Sequence, residues 1–105
     1  MDIFEMAMGL IAGAGDSKSY SMEAIAHAKA GNFTEAWACI EKAKEAMVNT
    51  HEVQTELIRG EMQGAKAEIT LLMVHAQDHL TSAMLMRDMA VEFIDIYEKI
   101  KKGGD

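Results

Sequence analysis

The sequence predicts an all-α fold, in which three long helices form an antiparallel three-helix bundle protomer. Proline is absent from all 105 residues, and strong helix formers such as Ala, Met, Leu, Glu and Lys are abundant. Apolar residues recur with the 3.6-residue period of an α-helix over most of the chain. Two short polar segments that contain glycine interrupt this period, and they divide the chain into helices at about 2–30, 33–59 and 65–101.

The first predicted helix carries an apolar and small-residue stripe whose period does not slip. Its members are Ile3, Ala7, Leu10, Ala14, Ser17, Ser21, Ala24, Ile25 and Ala28. Gly13 and Gly15 lie in the middle of this helix, although a glycine inside a helix costs about 1 kcal/mol relative to alanine. We therefore expect one unbroken helix, in which the glycines make room for a close neighbour. That neighbour is either another helix or a group that approaches His75.

A clear boundary separates the first helix from the second. Gly31 suits the left-handed conformation that commonly ends a helix. Asn32 is a good N-cap, and Glu35 follows it at the spacing of a capping box. The second helix is therefore expected to begin at residue 33.

The second helix has an apolar stripe that becomes polar near its end. The predicted buried residues are Phe33, Ala36, Trp37, Ile40, Ala43 and Met47. Thr50, His51 and Gln54 then interrupt the stripe. Two interpretations of His51 and Gln54 remain open: they are structural hydrogen-bonding residues, or they support a functional histidine from behind.

The third predicted helix is apolar on two faces. One face consists of Leu72, Ala76, Ala83, Met86, Ala90, Phe93 and Tyr97. The other consists of Leu71, Val74, Leu85, Met89 and Ile96, with Asp78 among them. A helix that is apolar on two faces is buried on two sides. Because the other two helices can cover only one face, we expect another subunit to cover the second.

Polar side chains interrupt this apolar helix at one place. His75, Asp78 and His79 are neighbours at helical spacing, and Ser82 lies one turn further on. Since buried polar groups cost free energy unless they are paired, the cluster is either a satisfied structural network or a functional site. Histidines four residues apart can also share a zinc ion, so a metal site is a third possibility.

Charge and cysteine content narrow the classes of function. The net charge of −7 argues against nonspecific nucleic-acid binding, which needs clustered Lys and Arg. Cys39 is the single cysteine, so no internal disulfide forms, which fits a reducing cytosol. No basic-then-apolar leader and no apolar run of membrane length occurs. We expect a cytoplasmic protein without direct membrane insertion, with residues 1–105 forming a single domain.

The segment 74–80, Val-His-Ala-Gln-Asp-His-Leu, resembles the signature of the IIA components of the lactose/cellobiose family. This family belongs to the bacterial phosphoenolpyruvate-dependent sugar phosphotransferase system (PTS). The likeness extends over most of the chain and includes the segments 8–11, 14–16, 30–33 and 51–58. Ala76 within the segment looks more like the cellobiose/chitobiose branch than the lactose branch, which tends to have glycine there.

The resemblance implies a phosphotransferase component that works through a phosphohistidine. It assigns His75 as the residue that accepts a phosphoryl group, at Nε2, from the phosphocarrier HPr and passes it to a cysteine of the IIB component. The neutral imidazole nitrogen is nucleophilic near neutral pH, which suits this role. Gln77 and His79 would support His75. The sugar would be a β-linked disaccharide such as cellobiose or chitobiose. The competing hypothesis is a noncatalytic helical adaptor or oligomerisation module.

The resemblance also implies a homotrimer, in which three copies of Asp78 meet on the threefold axis around one divalent cation. Physical chemistry supports such an arrangement. Three buried carboxylates need a compensating charge, and a hard cation with oxygen ligands supplies it. We expect Mg²⁺, because octahedral sites of oxygen ligands suit this ion.

Overall fold

In the computed structural model, which describes residues 2–66 and 68–104, the chain forms three α-helices and no strand. They are α1 (Ile3–Lys29), α2 (Phe33–Met62) and α3 (Leu71–Gly104). The bundle measures 58 × 21 × 20 Å, so the helices run side by side along its length. The prediction of an all-α three-helix fold is confirmed. None of the helices in this described part is long and apolar enough to cross a membrane.

The core consists of three layers along the bundle, and each layer takes residues from different helices. One layer joins Ala24 and Ala28 of α1 to Ile40 of α2 and Ile94 of α3. The middle layer contains Ala14, Met47, Leu80 and Ala83. The layer at the other end contains Ala7, Leu10, Met73 and Ala76, with Val53 and Leu57 packed against it. Since the start of α1 meets the end of α2 and the start of α3, successive helices are antiparallel.

The first helix is unbroken across Gly13 and Gly15, as predicted. A Cβ atom on Gly13 would lie 1.9 Å from Thr50 Oγ1 and 3.2 Å from the Ala46 carbonyl oxygen. A Cβ atom on Gly15 would meet no described atom within 4 Å. Of the two neighbours considered for these glycines, the structure therefore shows another helix, α2, at Gly13.

The boundary between α1 and α2 follows the prediction in one respect and departs from it in another. Gly31 has a φ of +83°, the left-handed conformation expected at the end of α1. Asn32 is the N-cap of α2, but its side chain makes no capping hydrogen bond, so the predicted capping box with Glu35 is wrong. The ψ of Asn32 is 73°, whereas a capping residue is usually extended, as Asp2 is at the start of α1.

The stripe of α2 is buried largely as predicted, with Trp37 as the exception. Ala36, Ile40, Ala43 and Met47 are buried, and Phe33 is partly buried. Trp37 stays 36% exposed, because its indole Nε1 donates a hydrogen bond to Glu98 Oε1 (2.8 Å) at the bundle surface. The indole ring suits such a surface position, because its N–H group can stay near solvent while the rest of the ring packs against apolar side chains.

The third helix begins at Leu71, so the predicted start at residue 65 is wrong. The side chain of Thr70 explains the later start. Its Oγ1 accepts a hydrogen bond from the Met73 amide (3.0 Å), which is the bond that an N-cap residue makes. The C-terminal ends of α2 and α3 lie slightly beyond the predicted ends at about 59 and 101, since α2 ends at Met62 and α3 at Gly104.

The second apolar face of α3 is not covered by α1 or α2. We call this surface the outer stripe; it consists of Leu71, Val74, Asp78, Leu85, Met89 and Ile96. All six are exposed, and Leu85, for example, is 60% exposed. On the opposite face, Ala76, Ala83 and Ala90 are fully buried against the bundle. The expectation that the other two helices cover only one face of α3 is thus confirmed.

Candidate functional site

The candidate site lies in the second and third turns of α3, where His75 and His79 contact each other. Their Nε2 atoms are 3.1 Å apart, and their rings meet edge to face at an interplanar angle of 89°. His75 is exposed, whereas His79 is partly buried. The spacing of four residues places both rings on one face of the helix. The exposed His75 ring is therefore accessible to a partner protein, and the partly buried His79 ring packs against it.

Lys18 of α1 contacts this pair from the side. Its Nζ atom lies 2.9 Å from Nδ1 of His79, so a cation sits at the end of a chain of hydrogen bonds that leads to His75. Lys18 was not among the predicted site residues, since it lies 61 residues away from His79 in the sequence. One signal was present: Lys18 directly follows Ser17 of the buried stripe and so lies at the edge of the surface that α1 presents to the bundle.

Gln77 is joined to α2 and not to His75. Its Oε1 accepts a hydrogen bond from Gln54 Nε2 (2.8 Å), and its own Nε2 is 3.6 Å from Met73 Sδ. The polar end of α2 thus contacts α3 through Gln54, on a different side of α3 from the histidines, because Gln77 is two residues, or about 200° of helix rotation, from each of them. His51 is exposed, and its carbonyl oxygen accepts a hydrogen bond from Thr55.

Asp78 does not join the histidines, although the spacing suggested one polar cluster. Within residues 2–66 and 68–104 we find no hydrogen bond or ion pair to its carboxylate, which is exposed on the outer stripe. Around the helix axis Asp78 is turned by about 60° from His75 and by about 100° from His79, on the side of the outer stripe. Ser82 donates its hydroxyl hydrogen to the His79 carbonyl oxygen (3.1 Å).

No metal site is assembled by one copy of the chain in its described part. No group of three or more His, Cys, Asp or Glu side chains there could hold a metal ion. A zinc ion on His75 and His79 would therefore lack a third protein ligand, which removes the support for that interpretation. The exposed Asp78 carboxylate is an oxygen ligand of the type that Mg²⁺ prefers.

Cys39, the single cysteine of the chain, is unsuited to covalent chemistry. It is buried in the core layer that contains Ile40 and Ile94. Burial raises the pKa of its thiol, and the nearby Glu23 carboxylate raises it further against an opposing effect of Lys42. Because the thiolate is the reactive form, the position and the raised pKa both make Cys39 inert.

The family of this chain follows from comparison with known protein families. Residues 5–98 match the family described as "PTS system, Lactose/Cellobiose specific IIA subunit". The chain belongs to this family. The match includes His75, His79 and Lys18, as well as the outer stripe up to Ile96.

Individual members of the family are similar over most of this IIA subunit. The lichenan-specific phosphotransferase enzyme IIA component of Bacillus subtilis is 54% identical over 86 residues, which cover 82% of this chain and 78% of that protein. The crystal structure of the PTS cellobiose-specific enzyme IIA from Bacillus anthracis matches with a TM-score of 0.90 at 44% identity, covering 93% of this chain and 90% of that one.

A third relative has been solved with a partner. It is the IIA(Chitobiose) component of the Escherichia coli N,N'-diacetylchitobiose branch, in solution structures of its complex with HPr. It matches this subunit with a TM-score of 0.82 at 38% identity, covering 96% of this chain and 98% of that one. Both solved relatives support the three-helix fold described above.

Proposed function

We propose that this IIA subunit is a cytoplasmic phosphocarrier, which accepts a phosphoryl group from HPr on His75 and passes it to the IIB component. The observation that carries the proposal is the exposed His75 ring, whose Nε2 lies 3.1 Å from Nε2 of the better buried His79. The E. coli chitobiose relative, which forms a complex with HPr, supports the choice of donor. The family itself supports the choice of IIB as acceptor.

The transfer proceeds in two displacements at phosphorus. In the first, the lone pair of His75 Nε2 forms the new N–P bond, while the bond from phosphorus to the donor atom of HPr breaks and returns its electron pair to that atom. In the second, a cysteine thiolate of IIB forms an S–P bond, and the N–P bond electrons return to Nε2. Between the two steps the subunit carries a phosphohistidine.

The surroundings of His75 suit a group that carries a charge of about −2. Nε2 of His79 lies 3.1 Å from the accepting nitrogen, and Lys18 Nζ lies 2.9 Å from Nδ1 on the other side of the His79 ring. The Asp78 carboxylate, which would repel a phosphoryl group, is turned towards the outer stripe. Positioning and charge compensation are the main contributions of a protein to phosphoryl transfer.

The sugar that we propose for the transport system is a β-linked disaccharide such as cellobiose or chitobiose. The proposal rests on relatives named for lichenan, cellobiose and N,N'-diacetylchitobiose, which are similar to this chain over most of its length. Relatives named for galactose (41% identical over 93 residues) and lactose (36% over 90 residues) are both less similar to this chain than the lichenan relative. Uptake of a panel of disaccharides in a strain that lacks this subunit would identify the sugar.

We further propose that the subunit assembles as a homotrimer through the outer stripe, with one Mg²⁺ held by three copies of Asp78. Exposed apolar side chains along the full length of a helix favour burial against further copies of the chain. In a trimer of this kind the exposed Asp78 carboxylates would approach one another. A shared hard cation would compensate their charges.

Acid-labile phosphorylation tests the phosphocarrier function directly. The protein is incubated with phosphoenolpyruvate, enzyme I and HPr, and the gain of one phosphoryl group is measured by intact mass. We expect His75→Gln to abolish the gain and His79→Gln to retain it with slower transfer to IIB. The reverse pattern would move the acceptor to His79. A wild-type protein that gains no mass would instead support a noncatalytic adaptor or oligomerisation module.

A further inference from the structure

We propose that Lys18 is a positioning residue for phosphoryl transfer, because it holds His79 in the one tautomer that presents an N–H to Nε2 of His75. The inference rests on the phosphocarrier function proposed above. It starts from two distances: 2.9 Å from Lys18 Nζ to His79 Nδ1, and 3.1 Å from His79 Nε2 to His75 Nε2. Together they form a continuous chain of polar contacts from α1 to the reactive histidine.

The direction of each hydrogen bond follows from the donors that the side chains carry. A lysine ammonium has three donors and no acceptor, so Nδ1 of His79 must accept. A neutral imidazole that accepts at Nδ1 carries its proton on Nε2. His79 therefore donates through Nε2, and His75 Nε2 accepts with its lone pair. The proton of His75 is then on Nδ1, so Nε2 is unprotonated. Its single lone pair accepts the hydrogen bond from His79, and this hydrogen bond must break when the lone pair forms the N–P bond. The His79 N–H is then free to donate to a phosphoryl oxygen.

The opposite arrangement would be unfavourable for transfer. With the His79 proton on Nδ1, its Nε2 would be an acceptor, and two nitrogen lone pairs would face each other at 3.1 Å. The close contact would then survive only if His75 carried its own proton on Nε2, and that proton would occupy the lone pair that attacks phosphorus. The contact from Lys18 disfavours this arrangement, because an ammonium cannot accept a hydrogen bond.

The placement of Lys18 suits a fixed role. The preceding residue, Ser17, is fully buried and donates its hydroxyl hydrogen to the Ala43 carbonyl oxygen of α2 (2.9 Å), which anchors this turn of α1. Lys18 itself is partly buried. In the described part of the chain it forms no ion pair with a carboxylate, so its hydrogen bond to His79 does not compete with a salt bridge there.

Three variants test the role of Lys18, and the tautomer of His79 separates positioning from simple charge. Lys18→Met keeps much of the length of the side chain and removes the donors, whereas Lys18→Arg keeps both a positive charge and donors. Lys29→Met is the matched control. It removes an exposed lysine from the last turn of the same helix, away from His75 and His79. Folding of each variant is checked by circular dichroism and thermal unfolding.

The first measurement reads the tautomer of His79 in the unphosphorylated protein. The ¹⁵N chemical shifts of the histidine rings are recorded at one fixed pH and one fixed magnesium concentration. We expect the Nε2–H form of His79 in the wild type, in Lys18→Arg and in Lys29→Met. In Lys18→Met we expect a mixture of tautomers or the Nδ1–H form.

The second measurement is the rate of transfer from phosphorylated HPr. We expect Lys18→Met to slow it by about tenfold to 100-fold, the loss typical of residues that orient a functional histidine. Lys18→Arg and Lys29→Met should transfer at nearly the wild-type rate. A slow Lys18→Met with an unchanged tautomer, or an altered tautomer with an unchanged rate, would each overturn the positioning role. A wild type that accepts no phosphoryl group would refute the phosphocarrier function, whereas the tautomer measurement would still decide what Lys18 does to His79.

Discussion

At the scale of single residues, the site combines side chains from two helices. His75 and His79 come from α3 and Lys18 from α1, whereas the hydrogen bond between Gln54 and Gln77 joins α2 to another side of α3. The two histidines differ in exposure, and this difference supports the separation of their proposed roles. An exposed ring is accessible to two different partner proteins, whereas a partly buried ring with fixed hydrogen bonds is suited to orient it.

The hydrogen bond between Gln54 and Gln77 gives a prediction about the polar end of α2. Gln54→Leu removes the donor and leaves Gln77 Oε1 partly buried without its partner. We expect the free energy of unfolding to fall by about 1 kcal/mol, measured by urea denaturation, with phosphorylation of His75 near the wild-type rate. Gln77→Leu and the double variant form the matched control, since a direct interaction makes the two effects less than additive.

The same variants decide between the two interpretations of Gln54. If Gln54→Leu slows phosphoryl transfer as much as His79→Gln does, then Gln54 supports the functional histidine. In that case the structural interpretation would be wrong.

At the scale of the helices, the contact between α1 and α2 depends on one glycine. Gly13→Ala would place a methyl group 1.9 Å from the side chain of Thr50, which is buried, and 3.2 Å from a backbone oxygen. We expect this variant to lower the free energy of unfolding by about 1–3 kcal/mol, the usual cost of overpacking. Thermal and urea unfolding at one protein concentration measure the effect.

Gly15→Ala is the matched control two residues away. A Cβ atom there meets no described atom within 4 Å, so the higher helix propensity of alanine should raise the free energy of unfolding by about 0.5–1 kcal/mol. Equal effects of the two substitutions would contradict the close packing of Gly13 against Thr50.

At the scale of the whole molecule, the outer stripe of α3 dominates the exposed apolar surface along one side of a narrow bundle. A helix that is buried on one face and apolar on the other is incomplete as a monomer, which is why we propose assembly through this stripe. The site itself does not need the stripe for its internal hydrogen bonds, because Lys18, His75 and His79 belong to one chain.

The proposed homotrimer should dissociate when a charged side chain is placed in the outer stripe. Sedimentation equilibrium at micromolar concentration should show about three chains for the wild type. Leu85→Lys places a cation in the middle of the outer stripe and should yield smaller species. Met22→Lys, a change at a similarly exposed apolar residue of α1, should leave the assembly intact. A stable wild-type monomer would contradict the proposal.

Asp78→Leu is the informative counterpart of Leu85→Lys. It replaces the one carboxylate of the outer stripe by an apolar side chain, so it should keep or strengthen the assembly while abolishing bound Mg²⁺. Elemental analysis of the purified protein after equilibration with millimolar magnesium measures the metal. A wild type that retains no metal under these conditions would show that Asp78 needs another explanation, such as shared protons.

The helices, the end of the first helix and the two apolar faces of the third could be predicted from the sequence, because each depends on residues that are close together in the chain. Proline-free runs with a 3.6-residue period specify helices, Gly31 specifies the end of the first, and the two apolar faces of α3 follow from counting along one helix. The segment 74–80 was enough to indicate the family, which residues 5–98 then matched.

The contacts between side chains of different helices could not be predicted from the sequence, because they depend on how the helices pack. Lys18 contacts His79, and Gln54 contacts Gln77, because of the rotation and stagger of the helices, and no periodicity within one helix contains that information. The start of α3 at Leu71 and the exposure of Trp37 depended on single hydrogen bonds to Thr70 and Glu98. Helix patterns are set by near neighbours in sequence, whereas the site is made by residues as far as 61 positions apart, which only packing brings together.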